Sequence, residues 1–163
     1  MNETFTFFWS GPLSQWSKSP FFMVNDLGEQ SGEFTCAEQY MMWSKAVLFG
    51  DLYNADLILK TDDPKKQKAF GRRVRNFDPV IWDSVCKDIV FRGNVAKFEQ
   101  NLVHLAALRK TVGTTLVEAS PYDTVWGIGL AANDPLAQSR DTWRGKNYLG
   151  EVLTNVRIHL IGA

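Results

Sequence analysis

The chain has 163 residues, with 18 lysines and arginines against 18 aspartates and glutamates, so it carries no net charge at neutral pH. That length fits one domain with a sizeable core, and the charge balance excludes a strongly basic polyanion binder while leaving room for local phosphate contacts. No apolar run is long enough for a membrane span and no basic start precedes a cleavable apolar segment, so the chain reads as soluble, untargeted and by default cytoplasmic, with no membrane partner.

Residues 4–9, Thr-Phe-Thr-Phe-Phe-Trp, predict a short strand stopped by Gly11-Pro12. Residues 13–22 mix aromatics with hydroxyls in a loop. Phe21 to Val24 predicts a second short strand which, with the polar turn from Gly28 to Gly32, forms a hairpin leading to Phe34. Cys36 and Cys86 lack CxxC or Cys/His ligand spacing, which argues against a disulfide framework or a zinc site.

The helix predicted from Thr35 to Phe49 is the richest in chemistry. Glu38 and Lys45 are nearly two turns apart and share a face, with Met41 and Met42 between them. Two readings stand. Thr35 with Glu38 three residues on spells a capping box, and Lys45 in the last turn complements the helix dipole. Alternatively, a carboxylate and an amine line a partly dry pocket, where desolvation raises the acid's pKa and lowers the amine's, giving a proton donor and a nucleophile.

Past a break at Gly50-Asp51, Leu52 to Leu59 predicts a short helix. Thr61-Asp62-Asp63-Pro64 reads as an N-cap and first-turn proline for a basic helix from Lys65 to Val74, on which Arg72 and Arg73 are candidate phosphate contacts. Asn76-Phe77-Asp78-Pro79 repeats that start signal, and apolar residues from Val80 to Leu105 keep helical period to about Lys110, with an interruption expected at Gly93. Trp82 either fills core or stacks on a base; His104, among apolar residues, reads as a core or surface histidine.

A strand is predicted from Thr114 to Ala119. The turn Ser120-Pro121-Tyr122-Asp123 then leads into Val125-Trp126-Gly127-Ile128-Gly129-Leu130, whose glycines beside an aromatic suit close approach of backbone to a flat ligand but match no phosphate-loop pattern. Residues 131–144 read as loop, and Asn147 to about Leu160 as a final helix. Arg144 and Lys146 add two candidate anion contacts.

Six stretches occur in order over nearly the whole chain: Phe8-Trp9-Ser10 with Leu13-Ser14-Gln15-Trp16; Ala37-Glu38-Gln39-Tyr40 through Lys45; Trp82 and Lys97-Phe98; Leu116-Val117-Glu118-Ala119; Asp123-x-x-Trp126-Gly127-Ile128-Gly129; and Trp143-x-Gly145-x-Asn147-x-Leu149-Gly150. As a set they resemble the NADAR family, the YbiA-like N-glycosidases. Gln15-Trp16 departs from the asparagine and aromatic of many members.

The resemblance implies a single mainly α domain over residues 1–163, multihelical with a few short β-strands, that hydrolyses a bond between ribose and a base-like nitrogen. No ligand spacing in the sequence argues for a metal, and no cofactor is expected. Two substrate classes follow from the resemblance: phosphoribosylamino-pyrimidine intermediates of riboflavin biosynthesis, and guanine bearing ADP-ribose in DNA or RNA. Catalytic roles fall to Glu38, Lys45 and Asp123, and substrate contacts to Ser10, Trp16, Tyr40, Trp82, Glu118, Trp126, Gly127, Gly129 and Asn147. Lys45 is the candidate for a Schiff-base nucleophile and Glu38 for the proton shuttle. A carboxylate pair activating water is the rival chemistry, and a non-catalytic ADP-ribose or nucleotide-binding module the rival function.

Overall fold

Helices dominate the computed structural model, which describes residues 2–163. The chain divides into two compact units: Gln15–Leu102, and the residues up to Ser14 together with Val103–Ala163.

The first unit holds α1 (Ala37–Leu48), α2 (Leu52–Leu59), α3 (Pro64–Arg72) and α4 (Pro79–Gln100). Local chemistry sets most of these boundaries. Asp51, Asp63 and Asp78 each accept a backbone N–H from the first turn of α2, α3 and α4 respectively, and Pro64 and Pro79 occupy first-turn positions where no N–H is needed. Helix α4 runs unbroken through Gly93, because that glycine is a packing position: a Cβ there would strike the Tyr40 ring of α1. The break comes instead at Asn101, in extended backbone, whose side-chain amide donates to the Lys97 and Pro20 carbonyls at 2.8 and 3.0 Å.

Before α1 the expected hairpin exists only as two antiparallel bridges, Phe21 with Phe34 and Val24 with Gln30. Main-chain bonds such as Phe34 N–H to the Phe21 carbonyl and Ser31 N–H to the Met23 carbonyl are supplemented by side chains: Asn25 Oδ1 accepts from the Leu27 and Glu29 amides, and Ser31 Oγ from the Met23 amide. Phe21, Phe34, Tyr40, Ile89 and Ala96 form the core of this unit, with Trp43 and Trp82 packed against it.

The second unit holds β1 (Phe5–Phe8), β2 (Thr115–Glu118) and α6 (Tyr148–Ile161), and it takes in α5 (Leu102–Arg109) from Val103 onward. Strands β1 and β2 pair in parallel, Phe5 opposite Thr115 and Phe8 opposite Glu118, and α6 packs on β2. Val117, Ile128, Leu130 and Ala137 make its core. Residues 131–144 form two short 3-10 turns, Pro135–Gln138 and Arg140–Thr142, the first started by the Asp134 cap.

Lys97 is fully buried on α4, and burial pushes its amine down to about 7, with Cys36 partly opposing. The unfolded chain, with lysine near 10.4, binds more protons than the fold between about pH 7 and 10.4, so stability rises with pH through that window. Relative to Lys97→Met, the natural chain is expected to gain up to roughly 4 kcal/mol between pH 7 and 10 in denaturant unfolding. A difference independent of pH would contradict that burial effect.

Candidate active site

The capping box expected at the start of α1 does not form. The helix begins one residue later than that reading requires: Cys36 is the N-cap and makes no side-chain cap bond, so the position that reaches back is Gln39 rather than Glu38. Gln39 Oε1 accepts the Thr35 amide at 2.7 Å, and its Nε2 donates to the Ile58 and Thr61 carbonyls, both at 3.0 Å. Glu38 is 6% exposed, and its backbone amide donates to the Gln15 carbonyl at 3.0 Å.

Lys45, two turns further along α1, is half-buried. Its Nζ lies 4.4 Å from the centre of the Phe77 ring and 5.9 Å from that of Trp82. Burial lowers the amine's pKa; the Glu38 carboxylate raises it and the Arg72 guanidinium lowers it further. Carboxylate and guanidinium are thus both within electrostatic reach of an amine held between aromatic faces. Replacing Arg72 by glutamine removes one of the two influences favouring neutral Lys45. The acid limb of any activity that needs the neutral amine is expected to move to higher pH, and a pH–rate profile identical to that of the natural chain would contradict this.

Tyr40 packs in the core of this unit, 6% exposed and edge-on to Phe21 and Phe34. Trp16 belongs to the same unit and is exposed over somewhat less than half of its surface. Phe77 is the residue that sequence reasoning missed. It sits in a turn between Asn76, which has a left-handed φ of 58°, and the Asp78-Pro79 helix start, so pattern alone shows only a connection.

The remaining predicted residues lie in the second unit. Ser10 is exposed in the bend after β1. Asp123 Oδ1 accepts the Val125 and Trp126 amides at 2.9 and 2.8 Å, shaping the loop that presents half-buried Trp126, whose ring meets Tyr148 edge-on at 5.7 Å. Glu118 ends β2, partly buried. The close approach at Gly127 and Gly129 is of chain to chain. A Cβ at Gly127 would lie 3.0 Å from the Asp123 and Glu118 carbonyl oxygens, and Gly129 has a φ of 70°. The first amides of α6 then dock on this loop, Asn147 on the Gly127 carbonyl, Tyr148 on Val125 and Leu149 on Trp126, at 3.1–3.2 Å. The buried Asn147 side chain engages β2 twice, accepting the Glu118 amide at 3.0 Å and donating to the Leu116 carbonyl at 3.1 Å.

A sequence model of the NADAR domain matches residues 7–161, across both units. The chain belongs to the NADAR family. This NADAR chain is 48% identical over 130 residues to N-glycosidase R617 of Acanthamoeba polyphaga mimivirus, covering 80% of this chain and 76% of that protein. It is 44% identical over 142 residues to Protein irg-1 of Caenorhabditis elegans, covering 86% and 67%. A shorter likeness, 35% over 98 residues, links 60% of it to 13% of the riboflavin biosynthesis protein PYRR, chloroplastic, of Zea mays. The NMR structure of the E. coli protein YbiA matches with a TM-score of 0.72 at 26% identity, covering 98% of this chain and 86% of that one. The fold is therefore YbiA-like, mainly α with a short two-stranded sheet, and the NADAR chain is a hydrolase of the N-glycosidase kind.

Among the described residues no group of three His, Cys, Asp or Glu side chains is placed to hold a metal ion, and no helix is long and apolar enough to cross a membrane.

Proposed function

We propose that this protein hydrolyses the bond between a ribose anomeric carbon and a base-like amine, with Lys45 as nucleophile and Glu38 as proton carrier. The observation that carries this reading is the Lys45 amine itself: held between Phe77 and Trp82 on the helix that bears Glu38, and pushed by burial toward its neutral, nucleophilic form. An N-linked ribose opens its ring to an iminium at C1, the ring oxygen taking up a proton. Lys45 Nζ adds to C1 and loses a proton to Glu38, and Glu38 passes that proton to the departing nitrogen as the C–N bond to the base breaks. The protonated Schiff base between C1 and Nζ then takes up water and collapses to the free ribosyl product, its phosphates retained, and the original lysine, releasing the proton taken up at ring opening.

Two substrates fit this chemistry: guanine carrying ADP-ribose in a nucleic acid, and phosphoribosylamino-pyrimidines. Both present C1 on an amine-like nitrogen. The likeness to an N-glycosidase supports the kind of bond cleaved, and the likeness to a riboflavin biosynthesis protein supports the second substrate class. Mass-spectrometric hydrolysis of an ADP-ribosylated guanine oligonucleotide and of the pyrimidine intermediates is expected to release a ribosyl product from at least one. Glu38→Gln is expected to lower that rate by roughly 100- to 10,000-fold. Saturable binding with no product on long incubation would leave a nucleotide-binding module in its place.

A further inference from the structure

Two buried amides lie outside the reaction as proposed. Asn94, fully buried on α4, donates from Nδ2 to Gln15 Oε1 at 2.8 Å and to the Val90 carbonyl at 2.9 Å. Gln15, 9% exposed, donates from Nε2 to the Met41 sulfur at 3.8 Å, while its main-chain carbonyl accepts the Glu38 amide at 3.0 Å. Gln15 therefore grips α1 twice: at the backbone of Glu38, and one turn later at Met41, which lies on the same side of the helix. Since α1 starts without a side-chain cap, this bracket satisfies a first-turn donor that the helix leaves open.

Burying two amides where apolar side chains of similar size would fill the space is unfavourable unless their directionality is used. Asn94 Oδ1 makes this plainer, being buried with no hydrogen-bond partner. A side chain one methylene shorter than Gln15 falls about 1.5 Å short of Asn94.

We propose that Gln15 and Asn94 are a positioning pair for Glu38, tying the start of α1 to α4, the helix that carries Trp82, so that Glu38 keeps its place relative to the aromatic rings around Lys45. The pair touches no reacting atom and acts through Glu38; it rests on the reading of Glu38 as proton carrier.

The test compares four full-length proteins: the natural chain, Gln15→Asn, Asn94→Gln, and the double variant, which moves the methylene across the contact and restores its span. Carbon-13 NMR of glutamate carboxyls follows the Glu38 titration without substrate, and kcat and KM are measured on whichever ribosyl substrate turns over. Each single variant is expected to move the Glu38 midpoint by roughly half a pH unit or more and to lower kcat by about tenfold, with KM little changed. The double variant is expected to recover both. Single variants that lose thermal stability but keep the Glu38 midpoint would reduce the pair to packing and overturn the proposal, as would a double variant no better than the singles. If the natural chain hydrolyses nothing, the N-glycosidase reading fails separately, and the substrate-free Glu38 titration still decides whether the pair sets this carboxyl's environment.

Discussion

Lys45→Ala is expected to lower kcat by roughly a thousandfold or more while leaving the fold intact. The side chain is half-buried and α1 loses no helix propensity on the change to alanine, so melting should shift by only a few degrees. What disappears is the amine between Phe77 and Trp82. Lys45→Arg separates chemistry from charge, since the guanidinium keeps its positive charge and its affinity for aromatic faces but does not deprotonate at working pH. It is expected to be as inactive as Lys45→Ala. An arginine variant with near-natural turnover would mean that Lys45 serves as a fixed cation and that water attacks C1 directly. Because burial and Arg72 lower the lysine's pKa, activity in the natural chain should rise with pH and level off below the range of an exposed lysine.

The second large effect concerns stability. Gly150→Val is expected to cost about 3 kcal/mol or more, enough to lower the melting temperature by roughly 10 °C or to prevent folding. A Cβ at Gly150 would fall inside the van der Waals shells of the Leu116 carbonyl oxygen and the Asn147 side-chain amide. Neither can move aside cheaply: the Asn147 amide bonds to the backbone of β2 at Glu118 and Leu116, and Leu116 is fully buried in the strand beneath α6. Gly32→Ala is the control, with open space around its Cβ and no left-handed backbone, and should stay within about 0.5 kcal/mol of the natural chain. Equal melting temperatures for the two variants would show that α6 does not sit on β2 as described.

The contrast between those glycines marks what was legible in the sequence. Asp63-Pro64 and Asp78-Pro79 start helices α3 and α4 because an N-cap carboxylate and a first-turn proline act within a few residues, and the aromatic and β-branched run at Phe5–Phe8 favours a strand for equally local reasons. What depends on tertiary contact was not legible. Gly93 looked like a break and is the place where Tyr40 meets α4. The glycines around Trp126 suggested a ligand and admit the start of α6. At α1 the capping-box spelling failed by a single residue, which put Gln39 in the capping role. Glu38 and Lys45 could be placed on one helix face from spacing alone. Phe77 beside Lys45 could not, because the turn at Asn76 and the packing of α4 bring it there.

The most direct measurement is borohydride reduction of the protein during turnover, followed by peptide mapping. A ribosyl adduct reduced onto Lys45, absent without substrate and absent from Lys45→Ala, is the expected result. An enzyme that releases ribosyl product under the same conditions yet remains unmodified at Lys45 would contradict the covalent lysine.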